Sequence, residues 1–541
     1  MNGGELFAAC LKAQGVEWIS GLCGNGLNDL LAGCREVGIR VIDTRNEQAA
    51  AYMAECWGRL SGRVGVCAVS SGVAHANGMT GVINAYYDGA PMLLVSGAGP
   101  LATTGMGHFQ DLDQVALAAP VCKQARLVDA AERIPEFVHG AFAAALHGRP
   151  GPVHLTVPMD VLAAEVEGVE PWGSVTRLHG GNPPPEQIER AVILLEEAHR
   201  PLLVAGSGAY YAGGEQALAD FAAAYGVPVM VPIWDRGVVV GGMEEFMGVI
   251  GAASGGPTLL EEADLVMLLG AEVDYRLGYL QSPPLAPGAR VIQIDADPTR
   301  LGRQRPADLE ILADPGATLT QLEEACIARE IGGFEDWLTE AKKRRDEFRR
   351  DIVAGAQRPE GRLHALDIIA ALEKTLTPET VLVIDGGNIG QWFHQTLGRE
   401  RYPGHWLTCG ASGVVGFGIP GAMAARAGFP QWPVVLLSGD GSATFTLSEL
   451  ECAARQGLPF VMIVADDESW GIVEVGQVPR YGEPLNSHLG AIDFAEVARG
   501  LGALGARAES REELEQMLQR ALGENAPVLI QVPITGGFPG I

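Results

Sequence analysis

The run Val434-Val-Leu-Leu-Ser438 passes straight into Gly439-Asp440-Gly441-Ser442, and a second run, Phe460-Val-Met-Ile-Val464, passes into Ala465-Asp466-Asp467-Glu468-Ser469-Trp470-Gly471. Short apolar runs without polar alternation need cover on both faces, so both read as strands of a parallel sheet. A helical pattern through Glu449 and Leu450 follows the first. Ligands of open parallel sheets sit beyond the carboxyl ends of the strands, which is where both loops fall. The two glycines let backbone N–H groups approach a phosphate, and Asp440 can hold the cation that neutralises it. Gly-Asp-Gly alone is also an ordinary strand-to-helix turn. The second acidic loop makes the difference, because Asp467, 27 residues beyond Asp440, stands where a second ligand of the same metal belongs.

The same alternation of short β-branched runs with longer Ala/Leu-rich stretches extends outward through the chain. Val41-Asp43, Val64-Val69 and Met92-Val95 form one group, with helices opening near Glu47 and Ala76. Leu202-Ala205, Leu265-Leu269 and Val291-Ile294 form a second, and Val381-Ile384 joins the two runs quoted above in a third. The fold expected is α/β, three tandem doubly wound parallel-sheet domains covering 1–167, 186–345 and 363–541. Linkers are read at Gly168–Glu186, which holds Pro183-Pro184-Pro185, and at roughly Asp346–Arg362, ending in Pro359-Glu360-Gly361.

With 541 residues, the chain has room for three to four domains of about 150 residues. A net charge of −28 argues against nucleic-acid or anionic-membrane partners, which need a basic footprint. Nine scattered cysteines without a Cys-x-x-Cys pair suit a reducing compartment rather than a disulfide framework or a zinc site. No signal peptide and no apolar run of membrane-spanning length is read, so the expected location is cytoplasmic. The 72 glycines, having no triplet period, point to turns.

Gly-Asp-Gly, then about 27 residues, then a polar pair after a strand resembles the signature of thiamine diphosphate-dependent enzymes. The resemblance implies Mg²⁺ held by Asp440, Asp467 and the carbonyl of Ser469; oxygen-only ligation suits that hard cation. Both asparagines of the family's usual pair are aspartates here, Asp466 and Asp467. Thr44-Arg-Asn46-Glu47-Gln-Ala-Ala-Ala-Tyr-Met-Ala-Glu55-Cys-Trp-Gly-Arg59 resembles the family's glutamate helix, with Asn46 where His is common. It implies that Glu47 hydrogen-bonds N1′ of the aminopyrimidine and activates the thiazolium C2.

Further segments resemble the family along nearly the whole chain. Ser70-Ser-Gly72-Val-Ala-His75-Ala-Asn77 looks like the loop over the pyrimidine, with the usual Gly-Pro-Gly reduced to Gly72-Val73-Ala74. Gly105-Met-Gly-His108-Phe109-Gln110 resembles the acetolactate synthase Phe-Gln segment, so Gln110 and His108 are candidates to face the substrate. Asp113-Gln-Val-Ala-Leu-Ala-Ala-Pro120 and Ser469-Trp470-Gly471 look closer to benzaldehyde lyase. Gly410-Ala-Ser-Gly413-Val-Val415-Gly-Phe-Gly-Ile-Pro420 aligns with the segment that bends the cofactor: Val415 would wedge between its rings, and the Gly413 carbonyl would accept from the 4′-amino group. Asp385-Gly-Gly-Asn388 resembles the loop beneath the diphosphate, making Asn388 a donor there. Gly439, Gly441, Ser442 and Trp470 complete the cofactor-binding set, and His75 and His108 are read as cleft-lining proton relays.

The central block carries Gly206-Ser-Gly208, Asp295-Ala-Asp297-Pro298 and Gly270-Ala-Glu-Val-Asp274-Tyr-Arg276. The last resembles the stretch that contacts FAD in acetolactate synthases, in a domain that holds ADP in oxalyl-CoA decarboxylases and nothing in other relatives. The activity implied is a carboligase or lyase acting on a 2-keto acid or acyloin through a C2 carbanion and enamine, acetolactate synthase-like. Benzaldehyde lyase-like and 2-hydroxyacyl-CoA lyase-like cleavage are the alternatives, and a non-catalytic cofactor-binding subunit is the alternative of another class. Because Glu47 and Gly-Asp-Gly lie in different domains, the family resemblance implies a homodimer or homotetramer.

Overall fold

The computed structural model describes residues 1–537 apart from 179, 236–237, 240–241, 252–255, 360 and 397–404, so Glu360 of the second expected linker lies outside the described residues. Three six-stranded sheets follow one another along the chain, and every strand pairing within them is parallel. The first contains β1 Trp18–Gly21, β2 Arg40–Asp43, β3 Gly65–Val69, β4 Met92–Ala98, β5 Gln124–Leu127 and β6 Pro152–Pro158, in the order β2-β1-β3-β4-β6-β5. The second contains β7 Pro201–Ala205, β8 Val229–Pro232, β9 Phe246–Ile250, β10 Leu265–Leu269, β11 Arg290–Asp295 and β12 Leu309–Leu312, in the order β12-β11-β10-β7-β8-β9. The third contains β13 Val381–Asp385, β14 His405–Leu407, β15 Val434–Gly439, β16 Val461–Asp466, β17 Leu504–Arg507 and β18 Val528–Pro533, in the order β14-β13-β15-β16-β18-β17.

The central strands are buried along their whole length, which is why they read as continuous apolar runs. All nine runs picked out above are strands. The first linker is irregular among its described residues up to the helix Pro185–Glu196. The second differs from expectation. Residues 346–355 continue the helix Glu335–Gly355, whose polar surface hides a buried stripe including Trp337, Ala341, Arg345 and Ile352. Among the described residues no helix is long and apolar enough to cross a membrane, and all nine cysteines are free.

What positions the site is the joint between the first and third sheets. The helix Glu47–Ser61 starts at Asn46, whose side chain accepts from Ala49 N at 2.8 Å, and stops at left-handed Gly62. Its Tyr52, Met53, Cys56, Trp57 and Leu60 share one apolar cluster with Phe417, Ile419 and Ala422–Ala425, most of them on the helix Gly418–Gly428. A buried ion cluster extends the joint. Arg59, 1% exposed, donates to Glu55 at 2.8 and 3.0 Å and to Thr408 O at 2.7 Å, and lies 3.3 Å from Asp88. Asp88 accepts in turn from Ala411 N at 2.9 Å, and Glu55 from Asn84 at 2.8 Å. The loop that precedes Gly413 therefore hangs from charges supplied by the first domain.

Candidate functional site

Glu47 is the first residue of its helix and half-buried, and Asn77 Nδ2 donates to its Oε2 at 2.9 Å. Asn77 sits on the helix Val73–Asp88, whose N-cap is Gly72. Gly72 has φ +56°, and a Cβ there would fall 2.7 Å from that of Gln110, so only glycine fits. Ser71 Oγ donates to Gln110 Oε1 at 2.9 Å, and Gly72 N donates to Gln114 Oε1 at 2.7 Å. Glu47 and Asn77 thus form one pair, and Gly72 and Gln110 another, within the first domain. His108 lies on Gly99, its Nδ1 3.3 Å from Phe109 O, and makes no hydrogen bond to Glu47 among the described residues.

His75 departs from expectation. The helix begins at Val73 rather than near Ala76, so His75 turns toward the sheet, fully buried, with Nδ1 2.8 Å from Ser96 Oγ. Its ring stacks obliquely on that of His154 at 4.6 Å, and burial lowers its pKa to about 4. It lines no cleft. It is a neutral core residue.

In the third domain, the loops after β13, β15 and β16 line one cleft that includes Asn388, Gly439, Asp440, Ser442, Asp467 and Trp470. Asp440, 4% exposed, is pushed up to about 7 by burial and then by the charge of Asp467. Asp467 is itself raised to about 6, mainly by burial, and the Ser469 N–H donates toward both carboxylates. A buried carboxylate, Asp440, facing a half-buried one, Asp467, whose charge opposes its ionisation, suits a cation, and oxygen donors suit Mg²⁺. Among the described residues no third His, Cys, Asp or Glu completes a metal cluster. Asp466 is turned to Gln531, whose Nε2 donates to it at 2.6 Å.

The glycines divide by cause. A Cβ on Gly441 would stand 2.6 Å from the Trp470 ring, so Trp470 lies flat against that backbone. Gly439 has open space at the same position, and Gly413, with φ +67°, is required by conformation alone. Val415 is half-buried. One hydrogen of the Asn388 amide goes to Gly537 O at 2.7 Å, while its Oδ1 is buried without a partner. Sequence reading quoted Asp385 at the head of the Asp385-Gly-Gly-Asn388 loop without giving it a role; it is 1% exposed and accepts from Gly416 N at 3.0 Å and Gly418 N at 2.8 Å. Burial raises it to about 7. It fixes the loop that carries Gly413 and Val415, and an acid at a strand end was its only signal. Among the described residues, no hydrogen bond or ion pair joins Glu47, Gly72 or Gln110 to Asp440, Asp467 or Trp470.

Three family models cover most of the chain. Residues 1–117 match the "Thiamine pyrophosphate enzyme, N-terminal TPP binding domain", 188–322 the central domain and 385–532 the C-terminal TPP binding domain. The chain belongs to the thiamine pyrophosphate enzyme family. Like other members, it is a thiamine diphosphate-dependent enzyme that forms or cleaves C–C bonds. It is 30% identical to a probable acetolactate synthase large subunit of Methanocaldococcus jannaschii, over 99% of this chain and 92% of that one. It is 31% identical to 2-hydroxyacyl-CoA lyase 2 of Caenorhabditis elegans, over 93% and 84%. To an acetolactate synthase large subunit of Haemophilus influenzae it is 29% identical, over 99% and 94%.

The central domain of this family member has the strand order of dinucleotide-binding folds, with its crevice between β7 and β10. There the side chains are spent on one another. Arg276 is bidentate to Asp274, Arg300 pairs with Glu272, and Ser207 donates to Asp235. Asp88, Asp235, Glu272 and Asp295 line the crevice together with Arg149, Arg276 and Arg300, and burial pushes Asp295 up to about 6.

Proposed function

We propose that the chain uses thiamine diphosphate with Mg²⁺ to join or split carbonyl compounds, with a 2-keto acid as donor in the manner of acetolactate synthesis. The observation that carries this reading is the division of labour between two built half-sites. One is the glutamate–amide pair Glu47–Asn77; the other is the carboxylate pair Asp440–Asp467 beside a backbone cradle. Asp440, Asp467 and the Ser469 carbonyl would hold Mg²⁺. Gly439, Gly441 and Ser442 would present backbone and hydroxyl donors to the diphosphate, with Trp470 closing the cradle and Asn388 on its far wall. Gly413 and Val415, fixed through Asp385, would seat the organic rings.

When bound, thiamine diphosphate supplies the electron sink that C–C cleavage beside a carbonyl requires. The chain's part is proton handling and orientation. Glu47 exchanges a proton with the cofactor ring at Oε1, while the Asn77 hydrogen bond fixes Oε2. Gln110 and His108, on the loop next to Gly72, face the substrate and exclude water. A homodimer or homotetramer brings Glu47 of one copy to the cradle of another, supported by the exposed apolar residues Val73 (65%), Ile83 and Tyr87 on the helix that carries Asn77. Nine unpaired cysteines support a reducing, cytoplasmic location.

The second reading is cleavage of a 2-hydroxyacyl-CoA or acyloin, favoured by the similarity to the nematode lyase and the Ser469-Trp470-Gly471 segment. Incubation of cofactor-loaded protein with pyruvate separates the two, since CO₂ and acetolactate are expected only from the first. Glu47→Gln should lower turnover by at least about a hundredfold while leaving thiamine diphosphate bound in native mass spectra. Unchanged turnover would refute the role given to Glu47.

A further inference from the structure

The helices Glu47–Ser61 and Gly418–Gly428 end at a cavity of about 280 Å³, about 20 Å along the first helix from Glu47. Trp18, Trp57, Phe142 and Leu146 wall it, all of them largely buried, with the two indole rings tilted 5.8 Å apart. The connecting segment adds Val175 and Arg177, and residues 14–17, 62–64 and Gly428 complete the lining. That segment is fastened: Gln14 donates to Gly173 O at 3.0 Å and accepts from Val175 N at 2.9 Å. His147 Nε2 lies 3.2 Å from Thr176 O. The cavity is therefore built into the packing of the first domain rather than left under a loose strap.

Two cations, Arg63 and Arg177, line the cavity against one acid, Glu17. The Arg177 Nε is buried without a hydrogen-bond partner; the guanidinium lies 5.8 Å over the Tyr211 ring and makes no hydrogen bond or ion pair to any described residue. Arg63 lies over Trp57 at 5.9 Å, and its nearest carboxylate, Glu17, is 3.7 Å away and mostly in solvent. A half-buried guanidinium beside apolar walls calls for an anion, which a planar fork grips in two places. An apolar cavity of about 150 Å³ already takes up benzene, so this one has room for a ring and a short acidic tail.

We propose that this cavity binds a small carboxylate with a flat apolar body, of the arylacetate kind, clamped by Arg177 and enclosed by Trp18 and Trp57. The site uses no residue assigned to the cofactor and does not rest on that assignment. Isothermal titration of the full-length protein compares phenylacetate with its neutral isostere phenylacetamide. Phenylacetate should bind once per chain, and the amide about ten- to hundredfold more weakly, the worth of a charge-assisted pair. Arg177→Met, which keeps the unbranched stem, should bring phenylacetate down to the level of the amide. Leu146→Trp, which fills the cavity, should remove both. Equal affinity for acid and amide, wild-type binding by Arg177→Met, or no binding of phenylacetate at millimolar concentration would each overturn the proposal. Binding that survives Leu146→Trp would place the anion elsewhere and do the same. If Leu146→Trp does not fold, the Arg177→Met comparison decides.

Discussion

Replacing Arg59 with Met removes the only cation of the buried cluster while roughly keeping its volume. Two carboxylates and the Thr408 carbonyl then lose their donor in a region sealed from water, with Glu55 wholly buried and Asp88 nearly so. Breaking a buried pair from one side costs about 3–5 kcal/mol, because the charges left behind are uncompensated. For a cooperative unit of domain size, that is a drop of about 6–20 °C in the melting midpoint. The loss should depend on pH, and its sign can be worked out. Burial raises Asp88 from 3.8 to about 6, against the pull of Arg59. A raised acid favours the folded state below its unfolded pKa, and that contribution is lost as pH rises through the folded value. Without Arg59 the folded value climbs further, so the deficit should be greatest at pH 8 and narrow toward pH 5. Scanning calorimetry of both proteins at the two pH values measures it. Equal midpoints at pH 8, or a deficit that widens on acidification, would refute this account of the cluster. Because Asp88 also holds Ala411 N, thiamine diphosphate affinity should fall in the same variant even where it stays folded.

Three further outcomes concern the cradle. Asp467→Asn removes a charge that opposes Asp440, so Mg²⁺-dependent cofactor binding should be kept or tightened; loss of binding by fluorescence titration would count against the proposed ligand pair. Gly441→Ala forces a methyl group into the Trp470 ring and should weaken cofactor binding by about 1–3 kcal/mol, read by the same titration. Chelation with EDTA should release thiamine diphosphate, and added Mg²⁺ should restore it in native mass spectra; retention of the cofactor without metal would contradict the role of Asp440.

The strands legible in advance were those whose burial on both faces forces apolar runs, such as Leu265–Leu269 and Val434–Gly439. Gln124–Leu127 and Leu504–Arg507, at sheet edges, escaped because they are short and only partly buried, and the buried Pro152–Pro158 and Val528–Pro533 escaped as well, while the edge strand Arg40–Asp43 did not. Residues 346–355 looked like part of a linker because the buried stripe of the helix Glu335–Gly355 is only a few residues wide. In the site, residue types and spacing pointed to Glu47 and Asp440. They could not reveal that His75 faces the core, since a helix start near Ala76 leaves it in a loop, whereas the observed start at Val73 fixes its direction by helical periodicity. Nor could they show Asp385 holding the cofactor loop, which depends on two N–H groups brought to it only by the folded backbone.

The first and third sheets share one strand sequence in space, each with its second strand at one edge and its last two exchanged at the other. The helix Glu47–Ser61 follows the second strand of the first sheet, and Gly418–Gly428 follows the second strand of the third, so the two that pack together are counterparts. Each domain presents to the other the surface that its double presents back, an isologous contact closed within a single chain. A pair of such chains would therefore assemble four copies of one fold around nearly equivalent helix pairs. A substitution in that seam should disturb folding of the single chain and assembly of the pair alike.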